Sequence, residues 1–150
     1  MSYSSIRDNH SHGVVGEFLK EAIIKESDVS IVSAYFTIYA YHRLKESLDG
    51  VKRLRFLFGE PTFIKSMDPE KTNTRSYKIE EEGRLVIPVD ARLGQKKLAA
   101  DCASWIKEKV DIRSMVKPNF LHGKLYHIKQ PSGIERAISG SSNFTVNGLG

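Results

Sequence analysis

Apolar residues recur with helical spacing near the start of the chain and again past its middle. In residues 14–26 they stand three and four positions apart, which predicts an amphipathic helix with one buried face. The same spacing in residues 93–110 predicts a second helix of this kind. Its inner face is predicted to contain these residues: Leu98, Ala99, Cys102, Trp105, Ile106 and Val110.

Between these helices the pattern changes to strand, helix and strand. Residues 28–36 (DVSIVSAYF) and 51–58 (VKRLRFLF) are rich in β-branched and aromatic residues, which predicts two buried strands. Thr37 is placed to cap a helix over residues 38–48, and Gly50 would end it. This order predicts a right-handed βαβ unit with a parallel strand pair.

Apolar residues show no regular spacing over residues 60–92. This stretch includes an acidic run at 80–82, which we interpret as a solvated face, and a short apolar run at 85–89. The stretch is too long for an ordinary connection within a compact domain. It is therefore predicted to be an inserted loop region with some helix, serving as a lid, a binding loop or a partner surface.

The last part of the chain predicts a short strand at 111–116, then two strands and a loop within residues 120–145. A Pro-Ser-Gly turn at 131–133 would join the two strands. The first of them carries His122 and Lys124, which would project from one face because strand side chains alternate. The loop consists of small or polar residues that let a ligand approach the backbone closely: Gly140, Ser141, Ser142 and Asn143.

Composition indicates an ordinary soluble globular domain. The 150 residues are enough for one domain with a single core, and 40% of them are hydrophobic against 27% charged. No apolar run is long enough to span a membrane, and the polar first residues lack the apolar core of a signal peptide. Residues 1–12 are predicted to be frayed. The single cysteine, Cys102, excludes an internal disulfide and fits a reducing cytoplasm.

The formal net charge of +5 favours a polyanionic partner such as nucleic acid. A basic surface without such a partner explains the charge equally well. Charge alone therefore does not decide between the two.

The residues at 122–143 carry the strongest chemical signal. An imidazole, an ammonium, a hydroxyl and an amide that converge on one point suit a phosphate and the phosphorane formed when it is attacked. Each alone has an ordinary explanation as a core histidine, an edge lysine or turn residues. Their combination on one strand and the loop that follows its neighbour favours a phosphate site.

His122-Gly123-Lys124, followed about fifteen residues later by Gly140-Ser141-Ser142-Asn143, resembles the signature of the phospholipase D superfamily. The resemblance implies one domain over residues 1–150, with a mixed α/β sheet flanked by helices on both faces. It also implies a phospho-His intermediate on His122, with Lys124 and Asn143 in catalysis and Gly140, Ser141 and Ser142 at the substrate, without a metal or cofactor. Lys129 stands where the fuller pattern has Asp, although some nuclease branches also lack it.

The family mechanism uses a second His from a second copy of the motif. This chain has one complete copy, so the resemblance implies a homodimer in which His122 of each chain meets across a two-fold axis. His127-Ile128-Lys129 repeats the letters of the motif. An odd spacing from His122 would point His127 to the opposite strand face, so it is predicted to be packed or surface-facing.

Residues 33–61 (SAYFTIYAYHRLKESLDGVKRLRFLFGEP) also resemble the opening of phospholipase D-like domains at the N-terminus of bacterial helicases. This resemblance implies DNA as the substrate and helicase domains in the parent chain. In the family a Glu about ten residues after the Gly-Ser-x-Asn loop orients the catalytic His. That position falls after Gly150, so the last part of the domain is expected to lie beyond this sequence.

Three functions remain open at this point. Retention of His122, Lys124 and Asn143 favours a metal-independent phosphodiesterase that acts on DNA. The missing Asp favours a catalytically decayed DNA-binding module of the same fold. Lipid chemistry fits less well, because the chain is short and basic and has no amphipathic membrane helix.

Overall fold

The structure, a computed structural model of the chain, describes residues 6–59, 62–63, 77–79, 85–86, 93–115 and 121–150. The helices are α1 (Val15–Ala22), α2 (Ile38–Asp49), α3 (Leu93–Lys109) and α4 (Val146–Leu149). The strands are β1 (Asp28–Ser33), β2 (Arg53–Phe58), β3 (Thr62–Phe63), β4 (Tyr77–Ile79), β5 (Leu85–Val86), β6 (Val110–Ser114), β7 (Leu125–Lys129) and β8 (Glu135–Ser139). None of the helices within these ranges is long and apolar enough to cross a membrane.

The main sheet has five strands in the order β6-β2-β1-β7-β8. β1, β2 and β6 are parallel, while β7 pairs antiparallel with both β1 and β8. β7 is thus the one strand of this mixed sheet that runs against the rest. The ends of β1, β2, β6 and β8 therefore lie at one edge of the sheet together with the start of β7, and we call this the carboxyl edge.

The predicted βαβ unit is confirmed in its elements and its parallel pairing. The backbone of Thr37 is extended, and its hydroxyl accepts a hydrogen bond from the Ala40 N–H at 3.2 Å, which caps α2. The first helix is shorter than predicted, because Ile23 is already extended. The buried Gln130 side chain donates to the Ala22 carbonyl at 2.9 Å, so a residue far along the chain stabilises this helix end.

A single hydrophobic core lies between the sheet and the helices. One face of the sheet supplies alternate strand residues to it: Val29, Ile31, Leu54, Phe56, Tyr126 and Ile128. Buried residues of α1, α2, α3 and α4 belong to the same cluster. The intervening strand residues include Arg53, Arg55 and Lys129, all exposed, and Leu125, which is 40% exposed. Within the described ranges the helices thus cover one face of the sheet, whereas the resemblance implied helices on both faces.

Aromatic rings join the end of the chain to the centre of this core. The Phe144 ring lies 5.5 Å from those of Phe36 and Phe56, centroid to centroid, and is fully buried. Phe144 is therefore a core residue. The loop after β8 is consequently anchored next to the end of β1.

α3 docks on α2 through its predicted inner face. The Trp105 ring stacks on Tyr41 at 4.7 Å, and its indole N–H donates to the Leu48 carbonyl. Ala99, Cys102 and Ile106 are buried as expected, whereas Leu98 and Val110 are partly buried. The prediction of a core role for Trp105 is confirmed.

The described parts of residues 60–92 are short strands rather than helix. β3, β4 and β5 form a separate three-stranded antiparallel sheet. Strands of two or three residues are too short to show a period, which explains why the pattern did not reveal them. The rest of this predicted insertion, and Phe120 of the predicted hairpin, lie outside the described residues.

Residues 8–13 form a hydrogen-bonded loop where a frayed end was predicted. Asn9 has a left-handed backbone, with φ of 61°. Its side-chain oxygen accepts from the Val15 N–H at 3.0 Å, and its side-chain nitrogen donates to the Gly148 carbonyl at 3.1 Å. These contacts tie the loop to α1 and α4, and the second of them spans nearly the whole chain, so local patterning could not reveal it.

Candidate functional site

The two motifs of the predicted site meet at the carboxyl edge. β7 and β8 form a hairpin in which Leu125 lies opposite Ser139. The residue before β7 and the residue after β8 are therefore neighbours, and the Gly140 N–H donates to the Lys124 carbonyl at 3.3 Å. The hairpin turn is the predicted one, with Gly133 at φ of 86°.

His122 and Lys124 precede the strand on which they were predicted to lie. β7 begins at Leu125, so the strand-alternation argument does not apply to them. Lys124 is buried, with 7% exposure, and its ammonium donates to the His122 carbonyl oxygen at 2.6 Å. The His122 side chain is exposed and makes no hydrogen bond with a described residue. The Lys124 bond thus closes a tight turn that presents His122 at the edge.

Lys124 retains binding capacity in this arrangement. An ammonium has three N–H donors, and within the described residues Lys124 uses one of them. A largely buried ammonium interacts with an anion more strongly than a solvated one, because water screens it less. The group is therefore suited to hold a phosphate oxygen at the edge.

Asn143 is fixed in orientation by the end of β1. Its side-chain oxygen accepts a hydrogen bond from the Ala34 N–H at 3.1 Å. Because a backbone N–H can only donate, this contact assigns the oxygen to that side of the amide and leaves the nitrogen on the other side. The nitrogen makes no hydrogen bond with any residue of the described ranges, so its donors are available to a ligand.

Ser33 is the buried centre of this arrangement, and it was missed from the sequence. It is fully buried, and its hydroxyl oxygen accepts from the Phe144 N–H at 2.8 Å. The hydroxyl donates to the Tyr35 carbonyl at 2.6 Å and lies 3.3 Å from the Asn143 side-chain oxygen. The available signal in the sequence was a polar residue at the end of a strand rich in β-branched residues.

The loop over residues 140–142 is held from below by Tyr126. The Tyr126 hydroxyl donates to the Ser142 carbonyl at 2.8 Å, and burial raises the pKa of this phenol, which keeps it a neutral donor. Gly140 and Ser141 are exposed, and a Cβ atom at Gly140 would meet nothing within 4 Å. The loop is therefore open toward solvent on its outer side.

Two glycines allow the backbones of the site to approach each other. A Cβ at Gly59 would lie 2.8 Å from the Leu121 carbonyl oxygen, so the end of β2 passes directly beneath the segment that carries His122. A Cβ at Gly148 would overlap the Asn143 backbone. Larger residues at these two positions would displace the segments that carry the predicted site.

His127 lies on the strand face opposite to the buried Tyr126 and Ile128 and is half-buried, which agrees with the prediction that it is packed or surface-facing. Its imidazole nitrogen is 3.0 Å from a Glu135 carboxylate oxygen. This hydrogen bond, together with Lys129 at 3.5 Å, lowers the pKa of Glu135. His127 is thus a surface partner of the neighbouring strand.

The carboxyl edge therefore combines an exposed imidazole, a buried ammonium, an amide donor and an open loop of small residues. These groups together can bind a tetrahedral anion and offer it a nucleophile. Across the described ranges, no three His, Cys, Asp or Glu side chains are grouped so that they could hold a metal ion.

Neither a comparison with protein-family models nor a comparison with curated proteins found a match to this chain.

Proposed function

We propose that this chain is a phosphodiesterase domain of the phospholipase D type that cleaves DNA through a phospho-His intermediate. The observation that carries the proposal is the placement of His122, Lys124 and Asn143 at the carboxyl edge, where the bond between Gly140 and Lys124 joins the two motifs. Open α/β sheets commonly bind ligands at this edge. The net charge of +5 fits a polyanionic substrate.

In the proposed reaction an imidazole nitrogen of His122 attacks phosphorus, and the bond from phosphorus to the leaving oxygen breaks. A second imidazole gives that oxygen its proton. Water then attacks the phospho-His bond, loses its proton to the second imidazole, and releases the phosphate end with His122 restored. Lys124 and Asn143 hold the phosphate oxygens throughout, and their donors are fixed before substrate arrives.

The second imidazole comes from a second copy of this chain. Exposure of His122 suits a site completed across a two-fold axis, since a partner's His122 can reach the same phosphate from the opposite side. The proposal extends to a mixed sheet of the phospholipase D type, a cytoplasmic location and helicase domains in the parent chain.

The alternative is a DNA-binding module of the same fold with a decayed site. Lys129 in place of the family's Asp favours it. So does the lack, within the described ranges, of an acceptor for the second nitrogen of His122, which a nucleophilic imidazole needs. Binding by phosphate contacts would weaken steeply with salt in either case.

The direct test is cleavage of a labelled DNA duplex and of a single strand in the presence of EDTA. Cleavage by the wild-type chain is expected to persist with EDTA, and His122→Ala is expected to lower it by at least about a hundredfold, as for loss of a nucleophile. His127→Ala is the matched control and should cleave normally.

Activity that survives His122→Ala, or that disappears on chelation, would overturn the phospho-His mechanism. Salt-dependent DNA binding without cleavage by the wild type would establish the alternative instead.

A further inference from the structure

A cavity of about 260 Å³ lies behind the loop over residues 140–142. The hydroxyl-bearing residues Ser141 and Ser142 line one side of it, and Arg7 from the N-terminal segment lines another. Apolar groups complete the wall: Ile6, Tyr126 and Ile138. The cavity and the candidate phosphate site thus share this loop as a common wall.

Arg7 brings to this cavity a positive charge that no described lining residue neutralises. One guanidinium nitrogen donates to the His12 carbonyl at 3.1 Å. The Nε atom is buried and has no hydrogen-bond partner among the described residues. Buried polar groups are usually paired, and a guanidinium donor without an acceptor is costly. The Nε atom is out of reach of a ligand in this arrangement. The terminal guanidinium nitrogens retain N–H donors that no described residue accepts, and an anionic ligand in the cavity would accept from these.

No carboxylate neutralises Arg7 from within the cavity, since none of the described residues that line it is Asp or Glu. The adjacent Asp8 is turned to other partners. One of its oxygens accepts from the backbone N–H groups of His10 and His12 at 2.9 Å. The other lies 2.7 Å from the His12 imidazole and 3.1 Å from the Ser11 hydroxyl. Both carboxylate oxygens are therefore engaged inside the loop.

The same loop holds Arg7 in place. Asn9 ties the loop to α4, and the Asn9 N–H donates to the Gly13 carbonyl at 3.1 Å. A Cβ at Gly13 would lie 2.6 Å from an Arg7 guanidinium nitrogen, so the side chain packs directly over this glycine. The guanidinium is positioned before any ligand binds.

We propose that this cavity binds one nucleotide unit of the DNA strand next to the cleaved bond, an inference that rests on the proposed function. The forked donors of Arg7 and the hydroxyls of Ser141 and Ser142 hold the phosphate of that unit, because a guanidinium matches phosphate geometry in two hydrogen bonds. The apolar wall of Ile6 and Ile138 receives the sugar and base. The volume is small for a drug-sized ligand but suits a single nucleotide.

The test is titration of the chain with thymidine 5′-monophosphate, with uncharged thymidine as the ligand control. Calorimetry is expected to show binding of the monophosphate, and Arg7→Ala should weaken it by about tenfold or more, the usual effect of removing a hydrogen bond between charged groups. Arg7→Lys keeps the charge but loses the fork, so an intermediate affinity is expected. Arg53→Ala, at the opposite edge of the sheet, should bind like the wild type.

Methyl spectra of the isoleucines provide an independent readout in the folded wild-type chain. The signals of Ile6 and Ile138 should shift on addition of the monophosphate, whereas exposed Ile24, which is not part of the cavity wall, should not. Absence of these shifts, or equal affinity of wild type and Arg7→Ala, would overturn the inference.

The outcome is separable from the test of the proposed function. A chain that cleaves DNA through His122 without Arg7-dependent nucleotide binding would refute the cavity site alone. Arg7-dependent binding by a chain that does not cleave DNA would refute the nuclease proposal and leave a nucleotide-binding cavity.

Discussion

Ser33 shows how one small side chain can organise the carboxyl edge. Its hydroxyl accepts from the Phe144 N–H, donates to the Tyr35 carbonyl and touches the Asn143 side chain. All of these groups lie where the first strand and the last loop meet. The orientation of the Asn143 amide, and hence of its available donors, depends on this contact and on the Ala34 N–H.

Ser33→Ala is expected to lower the free energy of unfolding by about 1–3 kcal/mol, because it leaves a buried N–H without an acceptor. Ser30→Ala on the same strand is the matched control, since the Ser30 hydroxyl is buried and has no partner among the described residues. Denaturant unfolding of both variants measures the difference. Equal losses would contradict the role assigned to Ser33.

Asp8 gives the stability of the N-terminal loop a defined pH dependence. Its hydrogen bond with the His12 side chain, with further bonds from the His12 and His10 N–H groups, holds the pKa of this carboxyl well below its usual range. A carboxyl with a lowered folded-state pKa stabilises the fold above its unfolded pKa of about 3.9. That contribution is lost as the pH falls toward the lower folded value.

Asp8→Asn should therefore be less stable than the wild type at pH 7, and the difference should shrink between pH 5 and pH 3. Thermal unfolding of the two chains at several pH values measures this effect. A difference that is constant across the range would show that the Asp8 charge does not contribute.

At the scale of elements, one aromatic contact and two polar ones among the described residues add to the buried apolar residues of α3 in docking it on α2. Trp105 stacks on Tyr41 and donates to the Leu48 carbonyl, and the Lys109 ammonium donates to the Asp49 carbonyl at the end of α2. Cys102 is fully buried one turn before Trp105, and burial raises the pKa of its thiol. The rate at which this thiol reacts with a reagent therefore reports how closely α3 is docked on α2.

Trp105→Ala is expected to destabilise the chain by about 3–5 kcal/mol through the cavity that it leaves. It should also speed the reaction of Cys102 with a disulfide reagent under native conditions. Trp105→Phe keeps a ring against Tyr41 and loses only the indole hydrogen bond, so its effect should be smaller. Circular dichroism and thiol labelling rates measure the two consequences, and slow labelling in Trp105→Ala would argue against this docking.

Elements with strong local signals were predictable from the sequence, and those determined by distant contacts were not. The Thr37 cap and the alternating apolar residues of β1 and β2 act within a few positions, so their pattern was sufficient. β7 begins only at Leu125, and Leu121 before it lies against Gly59, a contact between distant segments that no local period records. The loop at residues 8–13 escaped prediction for the same reason, as Asn9 binds Gly148.

The residues of the candidate site likewise fall into those that could be predicted from the sequence and those that could not. His122, Lys124 and Asn143 could be selected from residue type and spacing, and the structure places them at one edge of the sheet. Ser33, Tyr126 and Arg7 could not be selected. Ser33 and Tyr126 contribute through burial and through hydrogen bonds to the loop after β8, and Arg7 meets that loop only in the folded chain.

On the scale of the whole molecule, the proposed reaction needs two chains. Each site would contain His122 from both copies, so a dimer of one wild-type and one His122→Ala chain should be inactive. Mixing the two proteins at constant total concentration should then lower activity with the square of the wild-type fraction.

A linear decrease would show instead that each chain acts alone. His127→Ala, mixed in the same way, should leave activity unchanged and serves as the control. Solution scattering on the same samples gives the oligomeric state that the interpretation requires.

The contact between Asn143 and Ala34 determines at which stage of folding the candidate site is formed. These residues are 109 positions apart in the sequence, so they meet only after the chain has closed a very long loop. Contacts of this range tend to form late in folding. Local opening of the segment after β8 would separate them again while leaving the βαβ unit paired. The orientation of the Asn143 amide therefore depends on the complete fold, and partly folded chains would lack it.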